Sequence, residues 1–159
     1  MKIFDARLLG EMTTKAAASP RRRTHFNIHA SADDPVQRFL VVADRPSYFR
    51  PHRHLSKSEL ALVIRGRFDL ITFDASGVVT ARDVVGDGAG FAYEMPPATW
   101  HTLIAQEDGG AFLEVKQGPY DPAAAVEFAP WAPPEGDASV PAFMLWLRTA
   151  QLGAAAPRI

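Results

Sequence analysis

From about residue 37 to residue 117 the chain breaks into short apolar stretches, each closed by a turn signal, and this rhythm most limits what it can fold into. The strand candidates are Phe39–Val42, Ser47–His52, Glu59–Arg65, Arg67–Phe73, Val78–Val84, Phe91–Glu94, Trp100–Ala105 and Ala111–Lys116. Between them stand Asp44-Arg-Pro46, Gly66, Asp74-Ala-Ser-Gly77, Gly86-Asp-Gly88 and Asp108-Gly-Gly110, residues that reverse a chain by local hydrogen bonding or by reaching positive φ. Short strands at this spacing predict an all-β sandwich or barrel. No period of the length that marks a solenoid or propeller recurs.

One strand sets a further condition. In Glu59–Arg65, Glu59, Ala61 and Val63 share one face while Leu60, Leu62 and Ile64 share the other. A strand apolar on both faces must be covered on both. If the glutamate face looks into a barrel, the terminal helices or a second subunit must lie over the leucines, which raises a homodimer as one expected partner. At the N-terminal end, Leu8, Leu9, Met12 and Ala16 fit a short amphipathic helix within residues 4–18, stopped at Ser19-Pro20. Residues 118–138 are proline-rich and carry Trp131, so they read as an extended strap. Val140, Phe143, Met144 and Leu147 then fall at helical spacing and predict a closing helix whose role is packing. The expected division is an N-terminal helix and arm over 1–36, a barrel over 37–118, and a strap and helix over 119–159, all in a single domain.

Composition narrows the function classes. With 159 residues the chain is long enough for a real core, and a net charge of −1 offers no global field for nucleic acid or an anionic membrane. There is no apolar run of membrane-spanning length. Asp5 and Arg7 interrupt what would be the apolar part of a signal peptide, so the expected location is cytoplasmic. The absence of cysteine excludes a disulfide framework, a thiolate nucleophile and thiolate-held zinc.

The chemistry concentrates in Arg50-Pro-His-Arg-His54, Glu59 and Pro96-Pro-Ala-Thr-Trp-His101. Residues two apart on a strand face the same way, so His52 and His54 can present their imidazoles together. With Glu59 and His101 they form a set of neutral nitrogens and one carboxylate suited to a divalent first-row metal such as Zn, Fe, Mn or Ni. An octahedral ion held by these groups keeps positions open for chemistry. The plain alternative is scattered histidines beside an unrelated glutamate.

Four residues separate His54 from Glu59, six separate Glu59 from Gly66, and Pro96 stands five before His101 and six after Gly90. These spacings resemble the two signature motifs of the cupin superfamily, with Ala98 where the pattern usually has glycine and Ala105 where asparagine often follows the histidine. The resemblance implies a cupin double-stranded β-helix, a jelly-roll barrel, with short N- and C-terminal helices. Ser19-Pro-Arg-Arg-Arg23, Asn27-Ile-His29, Asp34-Pro-Val-Gln-Arg38, the Arg50–His54 word, Glu114-Val-Lys-Gln-Gly-Pro-Tyr120 and Phe128-Ala-Pro-Trp-Ala-Pro133 are together similar to the WbuC family of cupin-fold metalloproteins. That likeness covers most of residues 1–135. It implies a metal centre and an association with bacterial O-antigen and surface-polysaccharide gene sets, with no settled reaction.

Other residues extend the candidate site. Tyr48 and Arg50 share the parity of His52 and His54, so on a regular strand they face the same cavity, and the Arg50 fork could clamp a carboxylate or phosphate. Phe112, Glu114 and Lys116 share one face of the last strand. Facing inward, Glu114 and Lys116 could act as an acid–base pair beside the metal; facing outward, they are a solvated edge or structural ion pair. Arg21, Arg22 and Arg23 with Asn27 and His29 could meet an anionic substrate, or simply form a solvated turn. No nucleophile elbow or glycine-rich phosphate loop is present.

The function these features predict is a metal-dependent enzyme, of isomerase, epimerase or oxygenase type, acting on a small, polar, sugar-derived or anionic molecule. A non-catalytic saccharide-binding module and a structural dimer with an incidental metal are the alternatives.

Overall fold

The computed structural model describes residues 1–123 and 126–158. Residues 124, 125 and 159, within the strap and tail expected over 119–159, lie outside the described residues. Helix α1 spans Ala6–Ala18 and is followed by β1 (Arg23–Asn27), β2 (Val36–Ala43), β3 (His52–Arg53), β4 (Glu59–Arg65) and β5 (Arg67–Phe73). Then come β6 (Val79–Gly86), β7 (Ala92–Met95), β8 (Trp100–Ala105), β9 (Gly110–Gln117), β10 (Glu127–Phe128) and α2 (Val140–Thr149). The first sheet has the order β1-β2-β9-β4-β7 and the second β10-β3-β8-β5-β6. All these pairings are antiparallel. This is an all-β jelly-roll architecture with two short helices.

Local chemistry explains the elements. The Asp5 carboxylate accepts the Leu8 N–H at 3.1 Å and caps α1, which ends at Ser19 because Pro20 cannot continue it. Between β4 and β5 the chain passes from one sheet to the other through Gly66, whose φ of +77° favours glycine. A side chain there would also meet Glu107 Oε1, 2.9 Å from the ideal Cβ position.

Two expectations are corrected. The strand expected over Ser47–His52 shrinks to His52–Arg53, because Pro51 has no N–H for the ladder. The backbone ahead of it is satisfied by side chains instead: Arg23 donates to Tyr48 O at 2.7 Å, and Thr102 Oγ1 donates to Phe49 O at 2.5 Å. In the segment expected as an arm, Arg23–Asn27 forms β1 and pairs along its whole length with β2.

Each sheet has an outer face to cover. On the second sheet, Ile71, Phe73, Trp100 and Ile104 are buried against Phe143, Met144 and Leu147 of α2 and against Ala129 and Ala132 of the strap. On the first sheet, Met12 and Ala16 of α1 cover Leu40, Val42 and Ala111. That cover stops short of β4: Leu60 stays 41% exposed and Ile64 49%. The terminal helices therefore do not supply the cover expected over this face. Between the sheets lies the barrel interior, where Val41, Ala61, Phe68, Leu70, Met95, Leu103 and Phe112 form one buried cluster.

Candidate metal centre

Register places the histidines. His52 on β3 stands directly opposite His101 on β8, with ring centroids 4.5 Å apart. Each ring is oriented by its own backbone: His52 Nδ1 lies 2.9 Å from Arg50 O, and His101 Nδ1 lies 2.9 Å from Thr99 O. A carbonyl can only accept, so both Nδ1 atoms carry the proton and both Nε2 atoms keep a lone pair. Burial, reinforced by His101, pushes the His52 pKa down to about 3, and burial also lowers that of His101 against the pull of Glu59. Both rings are neutral at physiological pH, the form that ligates metal.

Glu59 begins β4 on the opposite sheet and faces them. Its Oε2 is 3.1 Å from His54 Nε2, and its Oε1 is 4.0 Å from His101 Nε2. Burial alone would raise the carboxyl pKa; the His54 hydrogen bond, with Lys116, His101 and His52 around it, outweighs burial and holds it at about 2. One donor atom from each of His52, His54 and Glu59 lies within 4.8 Å of the others, so these groups could hold an ion. Ligands about 2.1 Å from an octahedral ion stand about 3 Å from their neighbours, which the His54–Glu59 spacing meets. His101 Nε2 is buried with no hydrogen-bond partner among the described residues. An unpaired lone pair beside a carboxylate is the condition a metal would relieve.

Glu114 and Lys116 face inward. Lys116 pairs with Glu59 across β9 and β4, its Nζ 3.7 Å from Glu59 Oε2 and 2.5 Å from Glu114 Oε1. Burial, then the Glu59 charge, raises the Glu114 pKa against the pull of Lys116. Burial would lower the Lys116 pKa, but Glu114 and Glu59 outweigh it and raise it.

Tyr48 and Arg50 do not join this group. With the strand interrupted ahead of His52, residue parity no longer sets their direction. The Tyr48 hydroxyl donates to Pro133 O at 3.0 Å and its ring packs edge-on against Phe143. Arg50 donates to Ala132 O at 3.1 Å and Ala129 O at 3.2 Å, with its guanidinium over the Phe128 ring. Both hold the strap in place rather than face the histidines.

Asn27 and His29 reach the barrel mouth instead. His29 is buried and its Nδ1 accepts the Arg38 N–H at 3.0 Å. Both residues line a cavity of about 360 Å³ with His25, Gln37, Phe39 and Tyr120. It shares His25 and Phe39 with a second cavity of about 220 Å³, whose lining includes Arg21, Arg23, Phe49, Glu114 and Lys116. The two cavities adjoin at His25 and Phe39, and the second reaches the Glu114–Lys116 pair. Arg21 and Arg23 at its edge both bind the Glu135 carboxylate.

Sequence reasoning passed over His25 and Tyr93. Recognising Arg23–Asn27 as a strand would have put Arg23, His25 and Asn27 on one face. Tyr93 could be placed only through the pairing of β7 with β4.

A model of the family described as Domain of unknown function (DUF6016) matches residues 4–85, just over half of the chain. No curated protein sequence matches it. Among solved structures, KdgF from Halomonas sp. superposes with a TM-score of 0.50 at 18% identity, over 65% of this chain and 84% of KdgF. Oxalate oxidase in complex with the substrate analogue glycolate gives 0.53 at 15% identity, over 72% and 58% of the respective chains. A mutant of Bacillus subtilis oxalate decarboxylase OxdC gives 0.51 at 20% identity; 67% of this chain aligns with only 27% of that one. These likenesses establish the cupin fold.

Proposed function

The chain belongs to the family described as Domain of unknown function (DUF6016), and on that premise we propose that it is a metal-dependent cupin enzyme acting on a small, polar, sugar-derived molecule. The observation that carries this reading is the cluster of His52, His54 and Glu59 with His101 beside Glu59, the His52 and His101 tautomers being set by backbone carbonyls and His101 Nε2 unpaired among the described residues. Those four would hold a divalent ion such as Zn, Fe, Mn or Ni. When bound, the ion supplies a Lewis acid that polarises a substrate oxygen.

The chain's own groups do the remaining work. Burial and the Glu59 charge raise the Glu114 pKa, which suits it to exchange a proton, and Lys116 keeps a positive charge between Glu114 and Glu59. As its carboxylate, Glu114 can take a proton from a carbon beside a carbonyl and, as the acid so formed, return it, the step shared by isomerases and epimerases. The cavity at Phe39, lined by His25, Asn27, His29 and Gln37, offers hydrogen bonds to a polyhydroxylated ligand. Resemblance to the WbuC family supports a role in surface-polysaccharide (O-antigen) metabolism.

Metal analysis of protein purified without chelator should find about one ion per chain, and the double variant His52→Ala/His101→Ala, checked for retained fold by circular dichroism, should hold none. Stoichiometric metal in that variant would sink the ligand assignment. Incubation of the loaded protein with a panel of nucleotide sugars, with and without oxygen, tests the substrate. The absence of both turnover and saturable binding across the panel counts against the sugar pathway.

A further inference from the structure

Neither helix covers the outer face of β4, where Leu60 and Ile64 stay exposed. Leu113 and Val115 of β9 lie beside them, half-buried, and the apolar surface continues through a cavity of about 330 Å³ to Phe4 and Leu9. A contiguous exposed apolar face rimmed by polar residues marks an interaction site. The charges at its two edges say what it meets.

Glu94 stands opposite Leu60, Leu60 opposite Val115, and Val115 opposite Arg38, so one row crosses β7, β4, β9 and β2 as acid, apolar, apolar, base. Strand alternation puts all four side chains on the outer face, since Tyr93, Ala61, Phe112 and Phe39 turn toward the barrel interior. Adjacent strands are about 4.8 Å apart, so roughly 14 Å separates the backbones of Glu94 and Arg38. They do not pair within the chain. The Glu94 carboxylate has no partner among the described residues. Arg38 gives Nη2 to Asp34 and Nε to Val36 O, which leaves Nη1 to donate outward.

Such a row is complementary to itself turned end for end. A two-fold axis in the contact plane, parallel to β4 and β9 and between them, sets Glu94 over the partner subunit's Arg38 and Leu60 over the partner subunit's Val115. The same operation generates the reciprocal pairs, so one axis covers the apolar residues and gives each lone carboxylate a guanidinium. An unrelated protein would have to carry the matching pattern independently; a second copy already has it.

We propose that the outer face of β7, β4, β9 and β2 is a homodimer interface, in which a second copy of this chain covers Leu60, Leu62 and Ile64 and Glu94 pairs with the partner subunit's Arg38. This goes beyond the metal centre and does not depend on it. Glu59, Glu114 and Lys116 project from β4 and β9 on the barrel side, so the second copy backs the strands that carry them.

The test is sedimentation velocity on the full chain at micromolar concentration, with no metal added. Wild type should sediment as a dimer, and Leu60→Glu/Ile64→Glu, checked for retained fold by circular dichroism, as a monomer. If that variant does not fold, Leu60→Ser/Ile64→Ser is measured in its place. Glu94→Arg should raise the dimer dissociation constant at least roughly tenfold, because two like-charge contacts replace two ion pairs. Adding Arg38→Glu exchanges the charges and should recover most of that loss. A monomeric wild type overturns the proposal and leaves the face to a different protein. A dimer that persists in the Leu60 and Ile64 variants overturns it by placing the interface elsewhere. A charge exchange that recovers nothing overturns it by removing the two-fold register.

Discussion

On the second sheet, His52 and His101 face each other and each ring is oriented by a carbonyl two residues earlier, just ahead of its own strand, whereas on the first sheet Glu59, Glu114 and Lys116 are held by one another. The imidazole side is a local construction. Its geometry follows from the backbone of two short segments and would survive loss of a distant partner. The carboxylate side is a cross-strand construction, in which buried charges are tolerable only while all are present. A barrel of this kind thus places rigid, neutral donors on one wall and a mutually dependent network of buried charges on the other.

The sharpest way to break this comparison is to remove the cation that joins the acids. Lys116→Met leaves Glu59 and Glu114 facing one another without their shared counter-charge. We expect a loss of about 3 kcal/mol in urea unfolding of the metal-free protein at neutral pH, the scale for breaking a buried ion pair. Adding Glu114→Leu should restore much of it, because the orphaned charge goes with its partner. If the single variant is as stable as wild type, the first sheet's groups are not mutually dependent and the contrast fails.

The same difference explains what could be read in advance. The His52–His54–Glu59 and Pro96–His101 spacings are short-range, so strand period and turn residues sufficed to align them and to suggest the barrel. Glu114 and Lys116 had a known shared face but no known direction, since only the pairing of β9 with β4 turns them inward. Tyr93 depended on a further pairing, β7 with β4. Tyr48 and Arg50 failed for the opposite reason: parity was extended through Pro51, where the ladder stops. Non-local register, rather than residue type, set the limit.

The walls meet near the barrel mouth, where Arg21 and Arg23 of the first-sheet side bind Glu135 of the strap that covers the second. Burial would raise the Glu135 pKa, but its bonds with Arg21 and Arg23 outweigh burial and lower it from 4.5. A carboxyl depressed on folding stabilises the fold above its unfolded value and loses that contribution as pH falls through its folded value. Glu135→Gln should therefore cost about 1 kcal/mol at neutral pH, for a pair that is partly exposed. The gap to wild type should close as unfolding is measured at successively lower pH below the ordinary carboxylate range. A gap that stays constant to pH 2 would mean the strap is held by packing alone.

The smallest effect probes the local side of the comparison. Ala98, in the turn before His101, has φ of +61°, and its N–H donates to His54 O at 2.7 Å. That bond ties the turn bearing one histidine to the segment bearing another. The related motifs place glycine here, and the backbone shows why: the left-handed region costs a residue with a Cβ about 1–2 kcal/mol. Glycine would relieve this and give back about 0.4–1 kcal/mol through the greater freedom of the unfolded chain. Ala98→Gly should thus stabilise the protein by about 0.5–1 kcal/mol, the difference of those two terms, without changing metal stoichiometry. Because the turn already has the required conformation, the gain should appear in unfolding and not in metal uptake. Tighter metal binding in the variant would instead show that the strained turn holds His101 away from its partners, and that the imidazole wall is less firmly set by its backbone than its hydrogen bonds indicate.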